Sequence, residues 1–244
     1  MAKCTAPPSP GLYVPIGFLT DYSVMGIEII KKYFADLTAV QLSQFERLKV
    51  LYEDWNSKIN VISRKDIDNL YEHHVLHSLS IVKFVCFQDS ARILDVGTGG
   101  GFPGIPLAIA CPHCRFVLID SIGKKIRVGQ EVANAIGLKN VVLLHENARD
   151  EKGKYDFIVS RAVMQAPELV QMTQKNISSQ SRHELPNGLI CLKGGELMEE
   201  GIAAMQKVAP AVKRGSSYQI AEISAWFKEP FFESKKILYV PLSK

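Results

Sequence analysis

RILDVGTGGGFPG, residues 92–104, is the stretch from which the rest of this chain is read. Ile93, Leu94 and Val96 form an apolar strand-like run, five glycines and a proline follow, and an apolar helix-like segment starts near Ile105. Glycine has no Cβ, so such a loop can take positive φ and bring backbone N–H groups close to a ligand. The helix behind it offers the positive end of its dipole. The stretch reads as a strand–loop–helix cradle for a small molecule.

Working outward, the pattern after Ser90 alternates strands and helices. Strands are expected at Arg92–Gly97, Arg115–Asp120, Val141–Leu144, Tyr155–Ser160 and Leu189–Lys193, with the intervening segments helical, led by Lys124–Ile136 and Met164–Ile177. Four βα repeats in order predict a doubly wound, mostly parallel α/β sheet. Two final strands, Ser217–Phe227 and Lys235–Leu242, have no helix between them and so predict an antiparallel terminal pair.

The first ninety residues show no strand alternation. A short amphipathic helix is expected from Gly26 to about Ala35, and Thr38 with Gln41 gives a capping-box signature for a second. Leu42, Phe45, Leu48, Leu51, Trp55 and Ile59 continue that second helix at helical spacing. A third is expected from Ile67 to about Val85. Residues 1–25 read as an irregular, proline-rich tail or tag, with Met25 an alternative start. Residues 26–90 read as a helical extension, and 91–244 as the ligand-binding domain.

Composition narrows the class. At 47% hydrophobic and 22% charged, 244 residues can bury a substantial core. Of the 29 basic and 25 acidic residues, 9 and 10 fall in residues 1–90 and 20 and 15 in residues 91–244, so the basic excess travels with the glycine loop. Five scattered cysteines predict reduced thiols and a cytoplasmic protein. No apolar run reaches the length of a membrane span, and the N-terminus lacks the pattern of a signal peptide.

Gly99, Gly101 and Gly104 match GxGxxG, which alone also fits a dinucleotide. Asp95 inside the strand, Pro103 at the helix start and the terminal strand pair turn the reading toward S-adenosylmethionine and the Rossmann-like class I methyltransferase fold. A nucleotide-cofactor oxidoreductase and a non-catalytic cofactor-binding module are the alternatives. Asp120, ending the second strand, is expected at the ligand crevice on the ribose hydroxyls, or as a helix N-cap. Arg161 and Lys193, at C-terminal strand ends, are the expected catalytic pair, the other reading being solvated charges.

The runs VGTGGGFPGIPLAI, LIDSIGKKIRV, VSRAV (159–163) and CLKGG (191–195), with WNSKINVISRKD and HHVLHSL upstream, resemble the RsmG family, also called glucose-inhibited division protein B. The resemblance covers about residues 40–242. It implies transfer of a methyl group from S-adenosylmethionine to nitrogen 7 of a guanine in 16S ribosomal RNA, with that RNA or the 30S particle as partner; a monomer is expected, though nothing in the residues fixes the oligomeric state. It implies that Gly97 and Phe102 line the cofactor site, beside the Asp95, Gly99, Gly101 and Asp120 already read from the motif, that Ala148 and Arg149 meet the adenosine end, and that Arg161 stands at the active site. Arg149 and His77 depart from the family, which has Glu and Asp there.

Three other clusters carry weaker chemistry. Cys111 and Cys114 have redox-motif spacing but fall at a helix end, where no dipole lowers a thiol pKa, and they lack the second ligand pair of a zinc site. His73, His74 and His77 share one helix and suit packing or RNA contact better than a metal, so no metal is expected. Lys124, Lys125 and Arg127 follow Asp120 as an RNA-facing or simply solvated surface.

Overall fold

A computed structural model describes residues 22–161, 164–208 and 217–243. Residues 1–21, most of the expected tail, lie outside the described residues, as do Ala162 and Val163 of the VSRAV motif. The ligand-binding part is a seven-stranded sheet built from β1 (Arg92–Val96), β2 (Arg115–Asp120), β3 (Val141–His145), β4 (Phe157–Arg161), β5 (Gly188–Gly194), β6 (Gln219–Glu222) and β7 (Lys235–Pro241). Its order is β3-β2-β1-β4-β5-β7-β6, parallel through β5, with β7 antiparallel to both neighbours. This is the doubly wound sheet with an antiparallel end that the sequence predicts.

Strand alternation sorts the core into two layers. Ile93, Phe116, Phe157, Val159, Ile190 and Ile237 point to the face covered by α3 (His77–Phe84), α4 (Gly104–Ala110) and α5 (Gly123–Ala135). Leu94, Val96, Ile158, Leu189 and Val240 point to the other, under α6 (Ala166–Thr173) and α7 (Met198–Lys207). The N-terminal helices belong to the first layer: Ile30, Phe45, Leu48 and Tyr52 are fully buried in the same cluster as the sheet residues.

α1 (Tyr22–Tyr33) starts inside the segment read as irregular, since no proline or glycine stands between Asp21 and Met25. α2 (Ala39–Lys58) opens with the expected capping box, Thr38 and Gln41 bonding reciprocally. Gln41 also donates to Ile109 O (2.9 Å), and Gln44 to Ile136 O (3.1 Å), so α2 satisfies terminal carbonyls of α4 and α5. The third helix is not uniform: a 3-10 turn (Ile67–Asn69) and a π-helix (Leu70–Leu76) precede α3.

Two further expectations are corrected. No helix joins β3 to β4; residues 146–156 are a loop, because ENARDEKGKYD offers only Ala148 and Tyr155 to the core, too few for an apolar helical stripe. β6 stops at Glu222 rather than Phe227, because Ile223 and Phe227 turn into the core beside Phe232 through a 3-10 turn (Ile223–Ala225).

After α2 the chain is pinned by one side chain. Asn56 accepts from the backbone N–H of Val61 and Ile62 (both 2.9 Å) and donates to Ile62 O (2.8 Å). At about 1 kcal/mol per bond, Asn56→Ala is expected to lower unfolding stability by about 2–3 kcal/mol in a urea titration.

Candidate active site

The glycine loop is held from within by Asp95. Its side chain is completely buried, and Oδ2 accepts from Thr98 Oγ1 (2.6 Å) and Gly104 N (2.8 Å), closing the loop onto the first turn of α4. Burial pushes this carboxyl up to about 7, against the lowering effect of those two donors and of Arg161. Gly97, Gly99 and Gly101 have φ of 69°, 58° and 112°, the left-handed region. At Gly101 a Cβ would also lie 2.4 Å from Ile105 Cδ1, so glycine is required there twice over.

The loop is held from outside by Asp120 and Tyr52. Asp120 Oδ2 accepts from Gly99 N and Oδ1 from Ile122 N (both 2.8 Å), so one carboxylate ties the loop after β1 to the entry of α5. It thus borders the crevice while tying the loop to Ile122, the residue that caps α5; Asp120 is not itself the N-cap. Tyr52, on α2, donates to Gly100 O (2.8 Å) and packs on Phe102 (ring centroids 4.8 Å apart). Burial raises its phenol pKa, so it stays a donor.

Between these residues and the β3–β4 loop lies a cavity of about 570 Å³. Gly97, Gly99, Phe102, Asp120, Ala148, Arg149 and Arg161 of the expected set line it. Asp95 and Gly101 stand behind the loop and are not in its lining, nor is Lys193. Lys193 Nζ is engaged by Met164 O (2.6 Å) and Glu200 Oε1 (2.8 Å); Glu200 also accepts from Ala166 N (2.6 Å) at the start of α6. Lys125 lines the cavity, whereas Lys124 and Arg127 do not.

Arg161 ends β4 with its guanidinium 5.2 Å from the Phe102 ring centroid, a cation on an aromatic face. It donates through Nη1 to His73 O (3.3 Å) and meets His74 Nδ1 through Nη2 (3.0 Å). Burial draws this cation down to about 10, opposed by Asp95 and Tyr52, and it remains charged at neutral pH.

Several lining residues were not singled out from sequence. Val61 comes from the helical extension, placed by Asn56; Ile119, Ile122 and Met172 are apolar wall, and Thr98 carries the hydroxyl on Asp95. Only the glycine-loop position of Thr98 offered a signal. The remaining clusters are structural in their contacts: Cys111 and Cys114 are buried at the turn before β2, and His77 is buried against Phe231 and Phe232.

Residues 41–221 match the family described as rRNA small subunit methyltransferase G, GidB. A protein of Bacteroides thetaiotaomicron named ribosomal RNA small subunit methyltransferase G is 56% identical over 213 residues, 87% of this chain and 98% of that protein. Its namesake in Flavobacterium psychrophilum is 53% identical over 216 residues, covering 88% and 98%. Among solved structures, a SAM dependent methyltransferase from Aquifex aeolicus is similar over 73% of this chain and 97% of its own, with a TM-score of 0.50 at 17% identity, a likeness of fold. With the match running from α2 through the glycine loop into β6, the chain belongs to the rRNA small subunit methyltransferase G family.

Proposed function

We propose that this protein transfers the methyl group of S-adenosylmethionine to nitrogen 7 of a guanine in 16S ribosomal RNA, in the cytoplasm. The observation that carries the cofactor is the double tie of Asp120. Its carboxylate offers about four lone-pair directions and uses two on Gly99 N and Ile122 N. Two remain for the ribose hydroxyls of an adenosyl group in the cavity. Val61, Ile119 and Ile122 supply apolar wall there, and Ala148 with Arg149 bounds the adenosine end. The RNA rests on family membership and on the basic excess of residues 91–244.

The bound cofactor supplies an electrophilic methyl on a sulfonium. Guanine nitrogen 7 carries an unprotonated lone pair, so the residues of this chain need to orient rather than deprotonate. Asp95 and Tyr52 hold the loop in shape, and Phe102 flanks the mouth. Arg161 grips oxygen 6 of the guanine or a flanking phosphate through its outward N–H groups; binding nitrogen 7 itself would block the nucleophile. Lys193 acts at one remove, fixing Glu200 and through it the start of α6.

Ligand-dependent melting tests the cofactor. S-adenosylmethionine at 100 times its Kd contributes about 2.7 kcal/mol, which raises Tm by about 5–10 °C in a chain of this size, while NADH leaves it unmoved. A shift with NADH alone contradicts the reading.

A further inference from the structure

Arg161 does not enter the cavity from the sheet alone; the N-terminal extension grips it from behind. His74 Nδ1 lies 3.0 Å from Arg161 Nη2, and its other ring nitrogen, Nε2, lies 2.6 Å from Asp66 Oδ2. A guanidinium only donates, so Nδ1 must be bare and the ring proton must sit on Nε2, where it donates to the carboxylate. The two neighbours therefore demand the same tautomer. The second oxygen of Asp66 takes His73 Nδ1 at 2.5 Å, and the His73 carbonyl receives the other arm of Arg161. The π-helix Leu70–Leu76 presents both adjacent imidazoles to one carboxylate and both arms of the guanidinium to one turn, a local widening of the kind that recurs at functional sites. The Phe102 ring fixes the plane of the cation from the glycine-loop side.

The charge states suit this arrangement. Burial, with the Arg161 cation second, draws His74 down to about 4, so its Nδ1 lone pair is free at neutral pH. Asp66 is pushed up by its partial burial but is carried below its ordinary value by the hydrogen bonds from His73 and His74, so it is ionised. Asp66 does not line the cavity; it acts on Arg161 through the His74 ring, through the His73 turn and through its own charge.

We propose that Asp66 and His74 are positioning residues, a carboxylate–imidazole relay from the helical extension that sets the orientation of the Arg161 guanidinium for methyl transfer. This rests on the reaction given above and adds a task for the extension: to aim the cation of a site whose other parts come from the sheet.

The test compares His74→Asn, His74→Ala and Asp66→Ala. The asparagine carbonyl can stand where Nδ1 stood and accept from Arg161; alanine cannot. With undermethylated small subunits, at saturating S-adenosylmethionine, kcat is expected to fall about 30-fold in His74→Ala, the loss of one hydrogen bond to a charged group. It is expected to fall about 10-fold in Asp66→Ala and to stay within about 3-fold in His74→Asn, with the Kd for S-adenosylmethionine changed less than about 3-fold in all three. Imidazole 15N spectra of the wild-type protein are expected to show His74 as the Nε2–H tautomer, with Nδ1–H growing in Asp66→Ala. A wild-type Nδ1–H ring overturns the relay, as do His74→Asn and His74→Ala proteins equally slow with equally lowered Tm. The spectra need no RNA, so a wild-type protein that leaves the subunit unmethylated overturns the proposed reaction instead.

Discussion

Asp120→Ala is expected to weaken S-adenosylmethionine binding about 100-fold in calorimetric titration. The carboxylate would lose two hydrogen bonds to ribose hydroxyls, each charge-assisted and worth about 1.5 kcal/mol or more. Together these make about 3 kcal/mol, or two decades of Kd. The substitution also frees Gly99 N and Ile122 N, which the side chain now ties together. Asp120→Asn keeps an acceptor for Gly99 N but exchanges the charged acceptor for a neutral one, and an intermediate loss of about 10-fold is expected. If Asp120→Ala binds the cofactor within about 3-fold of wild type, Asp120 only ties the glycine loop to the entry of α5 and the ribose assignment falls.

Asp95→Ala is expected to cost about 3–4 kcal/mol of folding stability and to abolish measurable cofactor binding. Thr98 Oγ1 and Gly104 N would be left without their acceptor, and an unsatisfied buried donor costs about 1–3 kcal/mol. The loop would lose the contact that closes it onto α4. Asp95→Asn separates shape from charge, since its amide oxygen can serve both donors. The wild-type carboxyl has its folded pKa raised by burial from 3.8 to about 7. A raised acid contributes stability that is fully present below its unfolded pKa and is lost as pH rises through the folded value. The wild-type protein should therefore lose stability relative to Asp95→Asn between about pH 4 and pH 7, measured as the difference of their urea-unfolding free energies. A difference that does not change with pH would show that Asp95 is ionised throughout.

The parts of this molecule that were legible in the sequence are those whose signal is local. Glycines at 97, 99 and 101 need positive φ, Asp120 ends a strand, and Thr38 with Gln41 caps α2; each is a short-range requirement written in residue type. The parallel sheet followed from strand–helix alternation, and its antiparallel edge from two strands without a helix between them.

What was not legible depends on distant partners. Val61 reaches the cavity wall because Asn56 pins the turn beneath it, and an apolar residue in a polar turn carries no mark of that. The π-helix at Leu70–Leu76 answers to Asp66 upstream and Arg161 eighty-seven residues beyond His74, and hydrophobic periodicity cannot separate it from an ordinary helix. Lys193 reads as half of a catalytic pair with Arg161 because its partner, Glu200, lies beyond a loop in the next helix. The βα repeat predicts a helix between β3 and β4, but the segment there lacks the apolar residues a packed helix needs.

The proposed methyl transfer is read out by incubating the protein with labelled S-adenosylmethionine and small subunits lacking the modification, then digesting the RNA to nucleosides and identifying the labelled one by mass spectrometry. Label is expected in 7-methylguanosine of 16S ribosomal RNA, reduced at least about 100-fold by Arg161→Ala, a loss of about 3 kcal/mol of transition-state binding. Label in any other nucleoside, or in none, would contradict the proposed transfer.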